Sequence, residues 1–485
     1  AKPQMETERR VLRSTSILFA ARFVAQLANF GFVILFARVY GPALFGEYTF
    51  ALSLGAVLAI VVSMGTNGLL LRRTSRDPSE WRPLVGIVFP GQLFLATVTW
   101  LVAIAVAALL GVAGTDLGIV AIVAAFQILN PVWTLFSIGF TATERMGYAA
   151  IADAGSRILI LLLAGLAMVL GATIETALLA LPFSALLILA VLAKLSSKEF
   201  GRPVPRIDVG AYLGLLREAL PFFLNVGLTV VYTRVGILIL RATSTPDEVG
   251  VFASAERLVM AASILYATFA QAVYPAMVRL FAQDKEAYSQ LVRRSARLVV
   301  LACLPMATVL CLFAYDIIII LFGDPFRDAA RILQIVAWLI AFRGITAILI
   351  NVAVAVDHQY LVVRSNVFGL AVLVALSLLL TPTYGAFGLA VAMLVAQAIK
   401  STSIYLLLRS SGHLPELARI GVPVAAACAA TAAVAIFFAD AGLITRLTIV
   451  SVLGTALLYV FRAIRAEDFE YAYRVLSTRS ARENQ

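Results

Sequence analysis

Apolar stretches long enough to cross a membrane recur along the whole chain, separated by short polar interruptions. A membrane-spanning helix needs about 20 mostly apolar residues, and windows bounded by charged residues, glycines and prolines predict fourteen spans. Their positions are 14–38, 46–70, 84–110, 117–140, 148–170, 173–193, 213–240, 249–277, 298–321, 329–353, 360–380, 384–408, 420–439 and 443–463. The pattern predicts an all-α polytopic membrane protein without a sizeable water-soluble domain.

The composition agrees with this prediction. Of the 485 residues, 62% are hydrophobic and 13% charged, whereas a soluble domain has about 45–50% apolar and about 25% charged residues. A formal charge of +11 is compatible with nucleic-acid binding, but most Lys and Arg lie in the loops, as is typical of membrane proteins. We therefore expect no nucleic-acid partner.

The loop charges also predict the orientation. With the N-terminus inside, the cytoplasmic segments hold about 25 Lys and Arg and the opposite loops about five, and a basic excess marks the cytoplasmic side. A miscounted span would exchange the two sides for every later loop. We therefore expect an even number of spans, a retained first span rather than a cleaved signal peptide, and both termini in the cytoplasm.

Two pairs of short segments repeat six spans apart. LFGEY at 44–48 and EVGVF at 248–252 each open an apolar helix, and TERMGY at 143–148 and VDHQY at 356–360 each join two spans. An even offset gives both copies the same orientation, so the predicted repeat is parallel, about an axis along the membrane normal. We expect an N-lobe at 1–205 (spans one to six), a C-lobe at 206–410 (spans seven to twelve), and spans thirteen and fourteen with a cytoplasmic tail at 411–485.

Arginines inside the spans are the strongest candidates for function. Each costs about 2.5–3.5 kcal/mol if it faces lipid, so they are expected to face an interior. The deep arginines are Arg22, Arg157, Arg234, Arg257 and Arg343. Lys400 and Arg217 are expected to reach the membrane surface instead.

Other polar residues accompany these arginines. On span one, Gln26 and Asn29 share a helical face with Arg22. On span five, Asp153 is one turn from Arg157 and either neutralises it or contributes to a site. On span eight, Glu256 neighbours Arg257 and is able to pair with Arg234 on the adjacent helix.

These residues belong to both lobes, which predicts a central aqueous cavity with more cations than anions. Arginine holds phosphate oxygens through bidentate hydrogen bonds, so an anionic substrate, such as a diphosphate head group, is expected. The predicted substrate-binding residues are Arg22, Gln26, Asn29, Arg157, Arg234, Arg257 and Arg343, with Asp153 and Glu256 as candidates for ion coupling.

Sequence motifs for catalysis are missing. The chain has no G-x-x-x-x-G-K-[ST] loop for ATP, only two histidines, and cysteines confined to apolar stretches. We therefore predict no catalytic residue, no metal and no cofactor, and expect an ion gradient, the membrane potential or the substrate gradient to drive transport. A proton or a sodium ion is the expected coupling ion.

The opening stretch carries a family resemblance. SILFAARFVAQLANFGFVILFARVYGPALFGEYTFALSLGAVLAIVVSMGTNGLLLRR at 16–73 resembles the start of bacterial polysaccharide-export (Wzx-type) flippases, members of the multidrug/oligosaccharidyl-lipid/polysaccharide exporter superfamily. The helix count, the two lobes and the repeated segments extend the likeness over nearly the whole chain.

The resemblance implies alternating access by two lobes. It also implies a substrate of undecaprenyl-diphosphate-linked oligosaccharide, either an O-antigen or an exopolysaccharide repeat unit, a multi-pass position in the bacterial inner membrane, and polysaccharide polymerases as partners. Three alternatives stay open at this stage. They are a lipid II flippase, an ion-coupled multidrug antiporter, and a lipid-linked sugar polymerase or ligase, which the short external loops disfavour.

Overall fold

A computed structural model of the protein describes residues 2–409 and 417–437, together with 442, 445–446, 448–450, 452 and 456. Side chains are described at 21, 23–224, 226–409 and 421–434, and at the short stretches beyond 437. Within these residues the secondary structure is helical, with no strand. The helices are α1 (Lys2–Ser63), α2 (Thr66–Arg76), α3 (Trp81–Leu109), α4 (Thr115–Ala142), α5 (Met146–Val169), α6 (Ile174–Leu178), α7 (Ala180–Phe200), α8 (Val209–Thr243), α9 (Pro246–Gln283), α10 (Lys285–Leu312), α11 (Ala314–Phe322), α12 (Ala329–Val336), α13 (Leu339–Ala355), α14 (Gln359–Arg409) and α15 (Leu417–Phe437).

Two of these helices are too long for a single crossing. The apolar part of α1 has 41 residues and α14 has 51, which at 1.5 Å per residue give about 62 Å and about 77 Å against a hydrocarbon core of about 30 Å. Each contains one non-helical residue, Gly41 (φ 76°) and Gly385 (φ 52°). Glycine adopts positive φ without steric cost, so each divides its helix. Gly41 lies in the predicted loop between spans one and two, and Gly385 lies two residues after the predicted loop at 381–383.

Ten helices are long and apolar enough to cross a membrane among the described residues. With α1 and α14 each divided at its glycine, the helices coincide with the first twelve predicted spans, and α15 coincides with the thirteenth. The fourteenth, at 443–463, lies largely outside the described residues, so a total of fourteen stays a prediction. Span seven, predicted at 213–240, begins four residues earlier than predicted, because α8 starts at Val209.

The predicted repeat appears in local geometry. The turns at 143–145 and 356–358 both have three residues, and Glu144 (φ 61°) and Asp357 (φ 59°) are both left-handed. Each turn closes its helix with the same hydrogen bond, from Arg145 N to Phe140 O and from His358 N to Ala353 O, both 2.8 Å. This closure is a common helix ending and also occurs after α3 and α5, at Gly111 and Gly171, so what the two turns share beyond it is their three-residue length.

The described chain divides into two compact units, with the boundary between Gly250 and Val251. In the first unit, α1 packs against α4, α5 and α8, and α4 packs against α7. An aromatic cluster of Phe32, Phe36, Phe45 and Tyr48 fills the two sides of the Gly41 bend. The first unit thus includes α8, the seventh span, while the predicted lobe boundary near 205 stays a prediction.

In the second unit, α13 packs against α10 and α14, and α15 packs against α10 through Val300, Val424 and Cys428. Farther along, Arg446 Nη1 lies 3.3 Å from Asp316 Oδ2 and its guanidinium lies over the Phe313 ring at 5.1 Å. Arg446 is therefore attached to the break between α10 and α11.

Candidate functional site

The first polar cluster depends on the register between α1 and α5. A Cβ built on Gly31 would lie 3.7 Å from Leu161 Cδ2, and one on Gly165 would lie 3.4 Å from Leu35 Cδ2. The two contacts are four residues apart on each helix and run in the same direction. The helices are therefore parallel here, as expected for spans one and five, which both run outward.

This register brings four predicted residues within about one helical turn of each other in depth. One turn toward the N-terminal end of both helices, the same register places Arg157 of α5 level with the part of α1 that holds Gln26 and Asn29. Asp153 lies one further turn in that direction. All four side chains are half-buried. Arg22 lies one turn before Gln26 in α1, at the level of Asp153, and its side chain lies outside the described residues. The first unit thus has a polar cluster inside the membrane span.

Arg157 is held by two neighbours. Its Nε lies 3.5 Å from Asp153 Oδ1, and its guanidinium lies 5.6 Å from the centre of the Phe126 ring on α4. The i, i+4 ion pair considered from the sequence is therefore present. Both groups keep their charge in the pair and are partly exposed, at 27% and 38%, and a role for either residue in binding stays a prediction.

Arg234 and the pair on α9 occupy separate units. Arg234 lies half-buried on α8 in the first unit, whereas Glu256 is 4% exposed and Arg257 is half-buried on α9 in the second. The predicted pairing of Glu256 with Arg234 stays a prediction.

A second polar cluster lies in the second unit. Arg343 of α13 is half-buried and close enough to Tyr266 of α9 and Lys400 of α14 for electrostatic interaction. Ser263, one turn before Tyr266, donates its hydroxyl to Val259 O at 2.8 Å. In the second unit, the predicted binding residue Arg343 thus has two other polar side chains close to it.

The structure corrects the prediction for Lys400. This side chain is 9% exposed and does not extend to the surface, whereas Arg217 is exposed as expected. A Cβ built on Gly369 would lie 3.1–3.3 Å from the Cβ, Cγ and Cδ atoms of Lys400. The aliphatic stem of Lys400 therefore packs directly on this glycine. The stem is therefore fixed beside Arg343.

A sequence signal for this position existed. Lys400 is nine residues before Arg409, the end of α14, which is about 13 Å along a helix and beyond the usual reach of a side chain to the interface. Gln397 stands one turn before it. Judged by its depth within the span, Lys400 belongs with the deep arginines.

Neutral polar groups line the helix pair that carries these cations. Thr346 Oγ1 and Ser401 Oγ share a hydrogen bond of 2.7 Å between α13 and α14, and Gln397 Nε2 donates to both, at 3.2 and 3.4 Å. All three are buried. Interhelical hydrogen bonds of this kind hold membrane helices together, so Arg343 and Lys400 stand on a firmly joined pair.

A further ion pair was missed from the sequence. Glu47 is 1% exposed, and its Oε1 accepts from Arg241 Nε at 2.8 Å and lies 2.6 Å from Arg241 Nη2. Arg241 also lies over the Phe50 ring at 5.7 Å. The predicted spans leave Arg241 in the loop after span seven, which was placed at 213–240. Hydropathy does not show that this cation meets a buried acid 194 residues away.

Other chemistry has little support in the described chain. No group of three or more His, Cys, Asp or Glu residues suited to hold a metal occurs among the residues searched. Gln127 of α4 bonds across helices by donating to Leu52 O of α1 at 3.4 Å. The polar groups at depth are therefore suited to binding and to interhelical contacts.

The fold resembles solved membrane transporters. It matches the lipid II flippase MurJ in an inward closed conformation with a TM-score of 0.76 at 14% identity, covering 93% of this chain and 99% of that one. It matches a variant of the MATE transporter VcmN of Vibrio cholerae with a TM-score of 0.57 at 17% identity, covering 84% and 99%. A MOP superfamily transporter from Pyrococcus furiosus gives 0.54 at 14% identity, covering 83% and 95%.

Identities this low show a shared fold alone. Among curated proteins, none matches this chain. The family model described as polysaccharide biosynthesis protein matches residues 11–281, which is more than half of the chain. The family resemblance is thereby confirmed: this chain is a multi-pass membrane protein that belongs to the polysaccharide biosynthesis protein family and has the fold of the MurJ and MATE transporters.

Proposed function

We propose that this protein is a flippase that moves an undecaprenyl-diphosphate-linked oligosaccharide from the cytoplasmic to the outer leaflet. The observation that carries the proposal is the presence of arginines with polar neighbours at depth in each compact unit, Arg157 in the first and Arg343 in the second. Membership of the polysaccharide biosynthesis family indicates the class of cargo.

The residue types match the parts of such a lipid. The diphosphate carries negative charge inside the membrane, where guanidinium and ammonium groups bind it through charge-assisted hydrogen bonds. Gln26 and Asn29 offer amide donors and acceptors suited to sugar hydroxyls. We assign head-group binding to Arg22, Arg157, Arg234, Arg257 and Arg343, and we add Lys400.

The proposed mechanism is alternating access between two six-span lobes, at 1–205 and 206–410, without bond making or breaking. The protein is thus a transporter and not an enzyme. Moving one charge across the membrane gains about 2.3 kcal/mol per 100 mV, so the membrane potential is one source of energy. Asp153 and Glu256 are our candidates for coupling a proton or a sodium ion.

The proposed setting is the bacterial inner membrane, with both termini in the cytoplasm. The exported unit would serve an O-antigen or an exopolysaccharide, and polymerases acting on the outer face would consume it. The segment at 411–485 would extend the twelve-span core.

A lipid II flippase is the second candidate, because the overlay on MurJ extends over nearly all of both chains. Lipid II has the same diphosphate-polyprenyl chemistry, so the same arginines would serve. An ion-coupled multidrug antiporter is a weaker third candidate, since several deep arginines suit an anionic cargo better than a cationic drug.

The test is deletion of the gene, followed by measurement of lipid-linked oligosaccharide on each side of the membrane. We expect the oligosaccharide to accumulate on the cytoplasmic face and to reach the outer face again when the gene is restored. An unchanged rate of appearance outside would reject the flippase function. Growth of cells depleted of their own lipid II flippase, when this gene is expressed, would favour the second candidate instead.

A further inference from the structure

One continuous helix contact runs across the membrane inside the first unit. The second half of α1, together with α2, packs antiparallel to α8. Ile60 Cγ2 lies 3.5 Å from a Cβ built on Gly227, and Gly65 would place a Cβ 2.4 Å from Ala219 O. A Cβ on Gly68 would lie 2.8 Å from the Phe222 ring. The helices therefore touch at backbone distance along this seam, which we call the α1–α8 seam.

Each end of the α1–α8 seam carries an ion pair. At one end, Glu47 binds Arg241; at the other, Arg73 binds Glu218, with Arg72 3.9 Å away. Glu47 and Arg73 are 26 residues apart, about 39 Å along a helix, which exceeds the hydrocarbon thickness of about 30 Å. The pairs therefore lie at opposite membrane faces, with the acid on α1 at one face and on α8 at the other.

The two pairs differ in their exposure to water. Glu47 and Arg241 are 1% and 13% exposed, whereas Arg73 and Glu218 are both about one third exposed, at 35% and 34%. Removing one partner of a buried ion pair is strongly destabilising, because the other charge remains unpaired in an apolar environment. An exposed pair is screened by water and salt and contributes little.

A second close contact reinforces the buried end. A Cβ on Gly46 would lie 1.9 Å from Pro246 O, and a Cβ on Gly250 would lie 1.9 Å from Pro42 O. The first turn of α9 and the helical turn after Gly41 therefore pack closely together, and each places a glycine against a backbone carbonyl of the other. The exposed end has no such reciprocal contact among the described glycines, and Pro221 next to it removes a helical hydrogen bond and permits bending of α8.

We propose that the α1–α8 seam is the closing element of the transporter, and that its two ends open separately and with unequal ease. The Glu47 end is the tight closure of the predicted external face, and the Arg73 end is the weak closure of the predicted cytoplasmic face. The proposal rests on the proposed function, because only a transporter with alternating access needs to open both faces in turn.

The test uses a single cysteine at Ile60, halfway between Glu47 and Arg73 along the seam. The native Cys303, Cys311 and Cys428 are replaced by Ala, and a membrane-impermeant maleimide is added to right-side-out or inside-out vesicles. We expect Glu47→Gln to raise labelling of the cysteine about tenfold from the outer side only. Arg73→Gln should raise it about threefold from the inner side only, and high salt should mimic Arg73→Gln but not Glu47→Gln.

Two further variants control for unfolding. Exchanging the partners, Glu47→Arg with Arg241→Glu, should return outer labelling to the native rate, and Arg241→Gln should behave like Glu47→Gln. Matched controls are Arg145→Gln and Arg327→Gln, which break exposed ion pairs away from the seam with Glu199 and Asp324 and should leave both rates unchanged.

Equal increases on both sides, or no increase from either variant, would overturn the proposal. If outer and inner labelling separate as expected while no lipid is moved, the seam is the closing element and the proposed substrate is wrong. If lipid moves while labelling does not separate, the substrate stands and the seam is a static contact.

Discussion

The polar clusters of the two compact units differ in how their cations are neutralised. In the first unit, Arg157 has an acid one turn away, Asp153, and an aromatic ring beneath it. In the second, Arg343 and Lys400 bring two positive charges together on a helix pair joined by neutral hydrogen bonds from Thr346. The first cluster thus has an acid beside its arginine, whereas in the second two basic side chains lie within electrostatic reach of each other.

Because of this difference, we expect the two units to contribute unequally to binding an anion. An anion near the second cluster is attracted by both basic groups, whereas an anion near Arg157 is also repelled by Asp153. We therefore expect the second unit to contribute most of the affinity for the diphosphate. Four variants test this expectation.

The largest effect is expected from removing both cations of the second unit. Each charge-assisted hydrogen bond contributes about 1.5–3 kcal/mol, so Arg343→Gln with Lys400→Met should lower transport on the order of 100-fold. The readout is the rate of appearance of lipid-linked oligosaccharide on the outer face. Arg409→Gln, an exposed cation at the end of the same helix, is the matched control and should transport normally.

A smaller effect is expected from the first unit. Arg157→Gln removes one cation whose charge Asp153 already offsets in part, so transport should fall about tenfold at most, the equivalent of one contact. The same assay measures it. A fall as large as that of the Arg343 and Lys400 variant would show that the two clusters contribute equally.

The acid of the first unit should matter less again. Asp153→Asn leaves Arg157 in place and should change transport about threefold, the scale of a partly exposed i, i+4 pair. Measurement of transport at several pH values separates two roles. A changed pH profile would support proton coupling by Asp153, and an unchanged profile would leave it as a partner of Arg157.

The smallest effect is expected from moving Lys400 without removing its charge. Gly369→Ala adds a methyl group 3.1–3.3 Å from the Lys400 stem, so the stem must shift by a few tenths of an ångström and transport should fall about twofold, since a small displacement costs well under one contact. Gly155→Ala, where a Cβ meets no atom within 4 Å, is the control. Equal behaviour of both variants would show that the position of the Lys400 stem is unimportant.

Much of the fold could be predicted from the sequence, because spanning helices are defined by apolar length alone. The repeated acidic turns at Glu144 and Asp357 were visible as short echoes, and the left-handed backbone at both residues explains them. Helix boundaries at Gly41 and Gly385 were also predictable, since glycine readily adopts the required φ.

The sites were less predictable because they depend on contacts between distant spans. Lys400 is buried because Gly369, on the other half of α14, has no side chain to exclude its stem. Glu47 meets Arg241 only through the packing of α1 on α8. Hydropathy reports the cost of a charge at depth, but it does not report which helix supplies its neighbour.

The most direct test of the central claim is transport by the purified protein in liposomes. A polyprenyl-diphosphate-linked oligosaccharide is loaded in one leaflet, and its accessibility to an impermeant sugar-modifying reagent on the other side is followed over time. The account predicts rapid transfer with the native protein and transfer near the rate of protein-free liposomes with Arg343→Gln and Lys400→Met. Native-rate transfer by that variant, or no transfer by the native protein, would contradict a flippase that binds the diphosphate through these cations.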